Sequence, residues 1–140
     1  MEARRHGAPG KAMLAHLPAE RREWWLSRPI DAATPTTIAD PEALRAQLEE
    51  IRGRGWAYSD GERTVGIRAV AAPVFDHTGS VVGALGFSVP TIRLDAQRAL
   101  ELGARIKDAA WEISKRLGAT RETVAPTIAR ASRDTLDPPT

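Results

Sequence analysis

The side chains most able to move protons near neutral pH are three histidines, His6, His16 and His77. His77 directly follows Asp76, which invites an acid–base reading. Successive residues at a strand end point to opposite faces, so the two side chains form no dyad by default. Asp76 also opens the run Asp76-His77-Thr78-Gly79, where a carboxylate that accepts from nearby backbone N–H groups makes a turn. The turn is the preferred reading. No His, Asp or Glu cluster has metal-ligand spacing, and no GxSxG elbow is present. Cysteine is absent, which excludes disulfides and thiolate chemistry. Neither an enzyme nor a cofactor site is expected. A different chemistry is suggested by GAPGK, Gly7 to Lys11, which leads into a helix. Free backbone N–H groups and the positive end of the helix dipole would face an anion or polar group there. It is not a phosphate-binding P-loop, because the spacing is wrong and no Ser or Thr follows the lysine. Lys11 itself reads as a solvated surface amine.

The elements that would position these groups follow from periodicity. Met13, Leu14 and Leu17 suggest a short helix from about Lys11 to Leu17, ended near Pro18. AERREWWL is a second short helix, between Pro18 and Pro29. Trp24 and Trp25 are adjacent and cannot share a face, so one belongs to the core and the other to a surface or partner. Asp40 is a natural N-cap, Pro41 suits the first helical position, and Leu44, Leu48 and Ile51 form one stripe. Gly53 and Gly55 end that helix, with Arg52 and Arg54 at its C-terminus, where cations are favoured. Residues 56–59 form a short strand. VGIRAVAAPVFD and SVVGALGFSVP are two strands joined by the DHTG turn. Asp95 caps a long helix whose buried stripe is Leu102, Ile106, Ala109, Ile113 and Leu117, stopped by Gly118. From Ala119 to Thr140 the pattern fades, and a flexible tail is expected.

The order predicts an α+β fold, a partly antiparallel sheet covered by helices. Three strands are few for so long a terminal helix. The chain of 140 residues, 42% hydrophobic and 27% charged, suits one globular domain. Its net charge of +2 makes it no strong polyanion binder, and the basic runs EARRH and RGRGW are short, with no helix-turn-helix pattern. No apolar run is long enough for a membrane span, and the N-terminus has no signal-peptide core. A cytoplasmic location is expected.

Four blocks, GAPGKAMLAHLP, TPTTIADPEALRAQLEEIRGRGWAY, GERTVGIRAVAAPVFDHTGSVVGALGFSVPTIR and AAWEISKRLG, resemble in order the effector-binding domain of IclR-type bacterial transcriptional regulators. The likeness runs from about Gly7 to Gly118. It implies a GAF-like domain over residues 1–118, an antiparallel sheet flanked by helices with a small-molecule pocket on one side. The family's regulators work as dimers or tetramers and contact DNA through a winged helix-turn-helix, which this sequence does not contain. In the family the first block lies after the domain's opening strands, so the chain is expected to be the later part of a regulator.

Small residues dominate the hairpin strands. Close approach of a helix to the sheet explains Ala71, Ala72, Gly83 and Ala84; so does a ligand cavity over one face. The positions that match the family's pocket are Ala8, Pro9 and Gly10 before the first helix, Ser59 after the short strand, Ala69 on the first long strand, and Gly86 and Ser88 on the second. A small carboxylate, such as a keto acid or an aromatic acid, is the effector this implies. Many members carry a hydroxyl residue where Gly7 stands, two acids where Gly61 and Glu62 stand, and a polar or acidic residue at Ser59; some carry a serine at Gly86. The pocket is thus less polar than usual, which suits a more apolar effector or else impairs binding, with Asp60, one position displaced, as a compensating acid. The rival reading is an oligomerisation module without a ligand, with Trp24, Trp25 and Trp111 marking a partner surface.

Overall fold

The structure, a computed structural model, describes residues 7–29, 40–62, 64–93 and 95–136. The EARRH run with His6, the 30–39 segment and the final DPPT lie outside the described residues. The elements are α1 (Ala8–Leu14), α2 (Ala19–Leu26), α3 (Pro41–Arg54), β1 (Ala57–Asp60), β2 (Ile67–Phe75), β3 (Val81–Pro90), α4 (Ala96–Arg116) and α5 (Arg121–Leu136). The strands form one antiparallel sheet in the order β1-β2-β3, so the α+β class is as expected.

Local chemistry sets most of the boundaries. The Asp40 carboxylate accepts from the Glu42 N–H at 3.2 Å, and Gly55, at φ 87°, closes α3 in the left-handed conformation. The Asp95 carboxylate accepts from the Arg98 N–H at 2.8 Å and starts α4. Asp76 takes the turn role: its Oδ1 accepts from the Thr78 N–H at 2.9 Å and the Ser80 N–H at 3.3 Å. These bonds, the Thr78 hydroxyl first, hold its carboxyl below the usual carboxylate range. The first helix begins earlier than Lys11. Gly7, at φ 81°, turns the chain, and Pro9 fits the first turn, so Ala8, Pro9 and Gly10 are helical rather than a preceding loop.

Directly opposed residues project from the same face of a sheet. Ala57 opposes Ala71, which opposes Gly86; Ser59 opposes Ala69, which opposes Ser88. That face is covered by α1 and α3 through Ala8, Ala12, Ala15, Leu44 and Leu48. The other face carries Val70, Ala72, Leu85 and Phe87 against Trp56 and α4. Alanine against alanine brings α1 close to the strands, which accounts for the small residues at Ala57 and Ala71. At Gly86 an added Cβ would lie 2.7 Å from the Ala71 Cβ, so this glycine serves strand packing and leaves no spare room.

Two expectations give way. The α4 residues that pack are Ala99, Gly103, Ala110 and Ser114, with Leu102 and Ile106 half-buried. Ala109 is exposed, Ile113 is 39% exposed and Leu117 46%. The sheet is approached by the small side of the helix because Gly103 lies on the Trp56 ring, where an added Cβ would sit 2.6 Å from Cε3. The residues after Gly118 are also not an unstructured tail: 121–136 is helical. Thr120 and Thr123 cap each other, Thr120 N–H donating to Thr123 Oγ1 at 2.9 Å and Thr123 N–H to Thr120 Oγ1 at 3.1 Å. Ala119 and Val124 are buried with Phe75 in a small core of their own. Pro126 stands inside α5, and the helix runs through it with one backbone N–H donor fewer.

Candidate functional site

The register assembles most of the family-implied positions. Ser59, Ala69 and Ser88 form a single row across all three strands, on the face toward α1. Ser59 and Ala69 are buried; Ser88 and Gly86 are exposed, because β3 is the last strand of the sheet among the described residues. Neither serine hydroxyl makes a hydrogen bond among the described residues, although Ser59 is only 4% exposed. The Ser59 hydroxyl keeps some access to solvent and so stays available to water or a ligand. Ala8 and Gly10 are buried in the first turn of α1, and Pro9 is exposed. Asp60 stands apart from this group. It opposes Arg68 and pairs with it at 3.3 Å, so the strand alternation turns it to the α4 face.

Lys11 is not a solvated amine. It is 1% exposed, and its Nζ donates to Glu62 Oε2 at 2.6 Å, Gln47 Oε1 at 3.0 Å and the Tyr58 carbonyl at 3.2 Å. Burial lowers its pKa, opposed by the Glu62 charge. The cluster ties α1 to α3 and to the end of β1, and so sets the height of α1 above the serine row. The sequence held a signal for it: Lys11 lies three residues after buried Ala8 and three before buried Leu14, on an inward helix face. His16 is buried as well. Desolvation first, then the nearby Arg52 charge, push its pKa down to about 4 against the pull of its bond to the Ala12 carbonyl, 2.8 Å from Nδ1. The ring is therefore neutral and donates through Nδ1. Trp25 is half-buried against the core, whereas Trp24 is 49% exposed and stacked by Arg28.

The family model for the bacterial transcriptional regulator IclR C-terminal domain matches residues 5–115. This chain belongs to the IclR family. The chain is 37% identical over 106 residues to the HTH-type transcriptional regulator BhcR of Paracoccus denitrificans, a match of 75% of this chain and 38% of BhcR. It thus spans less than half the length of that curated relative. The Thermotoga maritima IclR structure superposes with a TM-score of 0.75 at 35% identity, over 79% of this chain and 45% of that one. The inducer-binding domain of a double mutant of the Acinetobacter PobR transcription factor, in complex with 3-hydroxybenzoic acid, superposes with a TM-score of 0.72 at 25% identity, over 79% of this chain and 65% of that one. The chain is accordingly a C-terminal domain of the IclR type, the module to which the family's inducer-binding domains belong. Among the described residues, no helix is long and apolar enough to cross a membrane, and no cluster of three or more His, Asp or Glu could hold a metal.

Proposed function

We propose that this IclR domain senses a small carboxylic or aromatic acid, which binds along the Ser59–Ala69–Ser88 row beneath the first turn of α1. The observation that carries the reading is the pair of unengaged serine hydroxyls, one on a mostly buried residue and one at the open strand, aligned in one row. They offer donors to a carboxylate or phenol, and the alanines around them offer an apolar bed. The complex of the PobR domain with 3-hydroxybenzoic acid supports the ligand class. Gly86 contributes its backbone to this bed rather than space. Asp60, paired with Arg68 on the far face, lies outside the ligand's reach and is no part of the site. In the whole regulator, a dimer or tetramer, the effector biases the equilibrium between quaternary states and so modulates DNA binding by a helix-turn-helix outside this chain. A coupling of about 1–3 kcal/mol is enough for that.

The test is a thermal-shift and calorimetric titration with 3-hydroxybenzoate and pyruvate. One of the acids raises the melting temperature, and Ser88→Ala weakens its binding by about 0.5–1.5 kcal/mol, the worth of one neutral hydrogen bond. If neither acid stabilises the chain, or if Ser59→Ala and Ser88→Ala both leave the affinity unchanged, the effector reading fails. The second reading, an oligomerisation module, is favoured by the exposed Trp24, Ile113 and Leu117. It predicts self-association unaffected by either acid.

A further inference from the structure

A second site lies away from the serine row. A cavity of about 500 Å3 opens toward the end of β2, lined there by Pro73 and Phe75, four and six residues beyond Ala69 on that strand, or roughly 13 to 20 Å at strand rise. Its floor is Arg52, 4% exposed, at the C-terminus of α3. Arg52 Nε donates to the Ala15 carbonyl at 3.0 Å and Nη1 to Glu49 at 2.8 Å, but the buried Nη2 has no partner. A buried guanidinium N–H without an acceptor is costly, and it marks the place where an acceptor belongs. Phe75 and Trp111 supply aromatic walls. At the mouth stand Lys107, Asp108 and Arg121, all exposed, so the lining holds three cations against one carboxylate. Arg121 stacks on Trp111 at 4.4 Å, and the Lys107 stem lies over Gly55, where an added Cβ would come within 3.0 Å of its Cδ. Neither cation is in an ion pair among the described residues. The remaining wall is α5, through Val124 and Ile128.

We infer that this cavity binds an amphipathic carboxylate, its acid group on Arg52 Nη2 and its aromatic or aliphatic body between Phe75, Trp111 and α5. A guanidinium prefers a carboxylate to any neutral acceptor, and the cationic mouth draws an anion in. The volume falls within the roughly 300–1,000 Å3 of small-molecule pockets and leaves room for a ligand of about a dozen heavy atoms or more. The α5 wall lies beyond residues 5–115, the part that the family model matches. Thr127 Oγ1 donates to the Gly79 carbonyl at 2.7 Å and ties α5 to the hairpin. A ligand bridging Arg52, Trp111 and α5 would fasten that helix to the domain.

The probe is 4-phenylbutyrate, with the uncharged 4-phenylbutanol as control, titrated calorimetrically into the 140-residue chain, with hydrogen exchange followed along α5. The acid is expected to bind about tenfold more tightly than the alcohol, since a charge-assisted bond separates them, and to slow exchange in α5. Ala125→Trp, at an exposed position of α5, fills the cavity and abolishes binding without touching the core. Arg52→Gln removes the preference for acid over alcohol; should it unfold the chain, Ala125→Trp still decides. The component of binding that Ala125→Trp removes is insensitive to Ser88→Ala, which separates the site from the serine row. Equal binding of acid and alcohol, loss of binding in Ser88→Ala but not in Ala125→Trp, or no change in α5 exchange would each overturn the inference. So would a change of oligomeric state in Ala125→Trp without acid binding to the parent, which would make the occupant a second copy.

Discussion

Two buried ionisable side chains have consequences that a sequence reading understates. His16 is held neutral in the fold, its pKa pushed from 6.5 to about 4 chiefly by desolvation. The unfolded chain takes up this proton first as the pH falls, so stability is full above 6.5 and is lost progressively down to about 4. Complete loss amounts to roughly 3 kcal/mol. His16→Gln should therefore flatten the fall in melting temperature between neutral and acid pH, and an unaltered acid limb would show that the ring titrates elsewhere. The Lys11–Glu62 pair, at 2.6 Å with both partners nearly inaccessible, behaves differently. Removing one partner leaves the other buried with its charge uncompensated. Lys11→Met is expected to cost about 3–5 kcal/mol in urea denaturation, and Lys11→Met with Glu62→Leu distinctly less. Additive losses in that cycle would show that the two side chains do not interact.

Among the elements, glycines test whether packing or chain freedom governs each helix. Gly103 is pressed against Trp56, and a methyl group there meets the indole ring. Gly103→Ala should destabilise by about 1–3 kcal/mol, the usual cost of overpacking. Gly53, within α3, has nothing within 4 Å of an added Cβ. Gly53→Ala should stabilise by about 0.5–1 kcal/mol through helix propensity alone. Paired denaturant curves check both, and equal signs for the two changes would remove the packing explanation of the α4–sheet contact. The hairpin and α3 were legible before the fold because their caps and turns act within a few residues. The α4 stripe was not. Its largest apolar side chains suggested the buried face, whereas the bulk of Trp56 and the sheet selects the side with Gly103, Ala110 and Ser114.

At the scale of the molecule, β3 ends the described sheet with one edge unpaired, and Val82, Ile92, Leu100, Ile113 and Leu117 are exposed. An open edge beside apolar side chains favours association. The isolated chain is expected to sediment above its monomer mass of 15.2 kDa and to melt at a temperature that rises with concentration. A concentration-independent monomer would count against this. Its DNA affinity should be weak, salt-dependent and indifferent to sequence, because the net charge is only +2. Specific retardation of one promoter fragment by the chain alone would sink that expectation.

By itself the sequence determined the α+β class, the hairpin, the capped α3 and the family, because each is encoded in short-range turn chemistry, periodicity and ordered blocks. It also named Ser59, Ala69 and Ser88. Only the tertiary structure aligned them, since a cross-strand row depends on register between segments up to 29 residues apart. The fold alone decided that Gly86 serves close packing, that Asp60 turns away, and that Lys11 is buried in an ion pair. It also brought Arg52, Trp111 and α5 around one cavity. Those outcomes rest on distances and desolvation among distant elements, and no local pattern of residues records them.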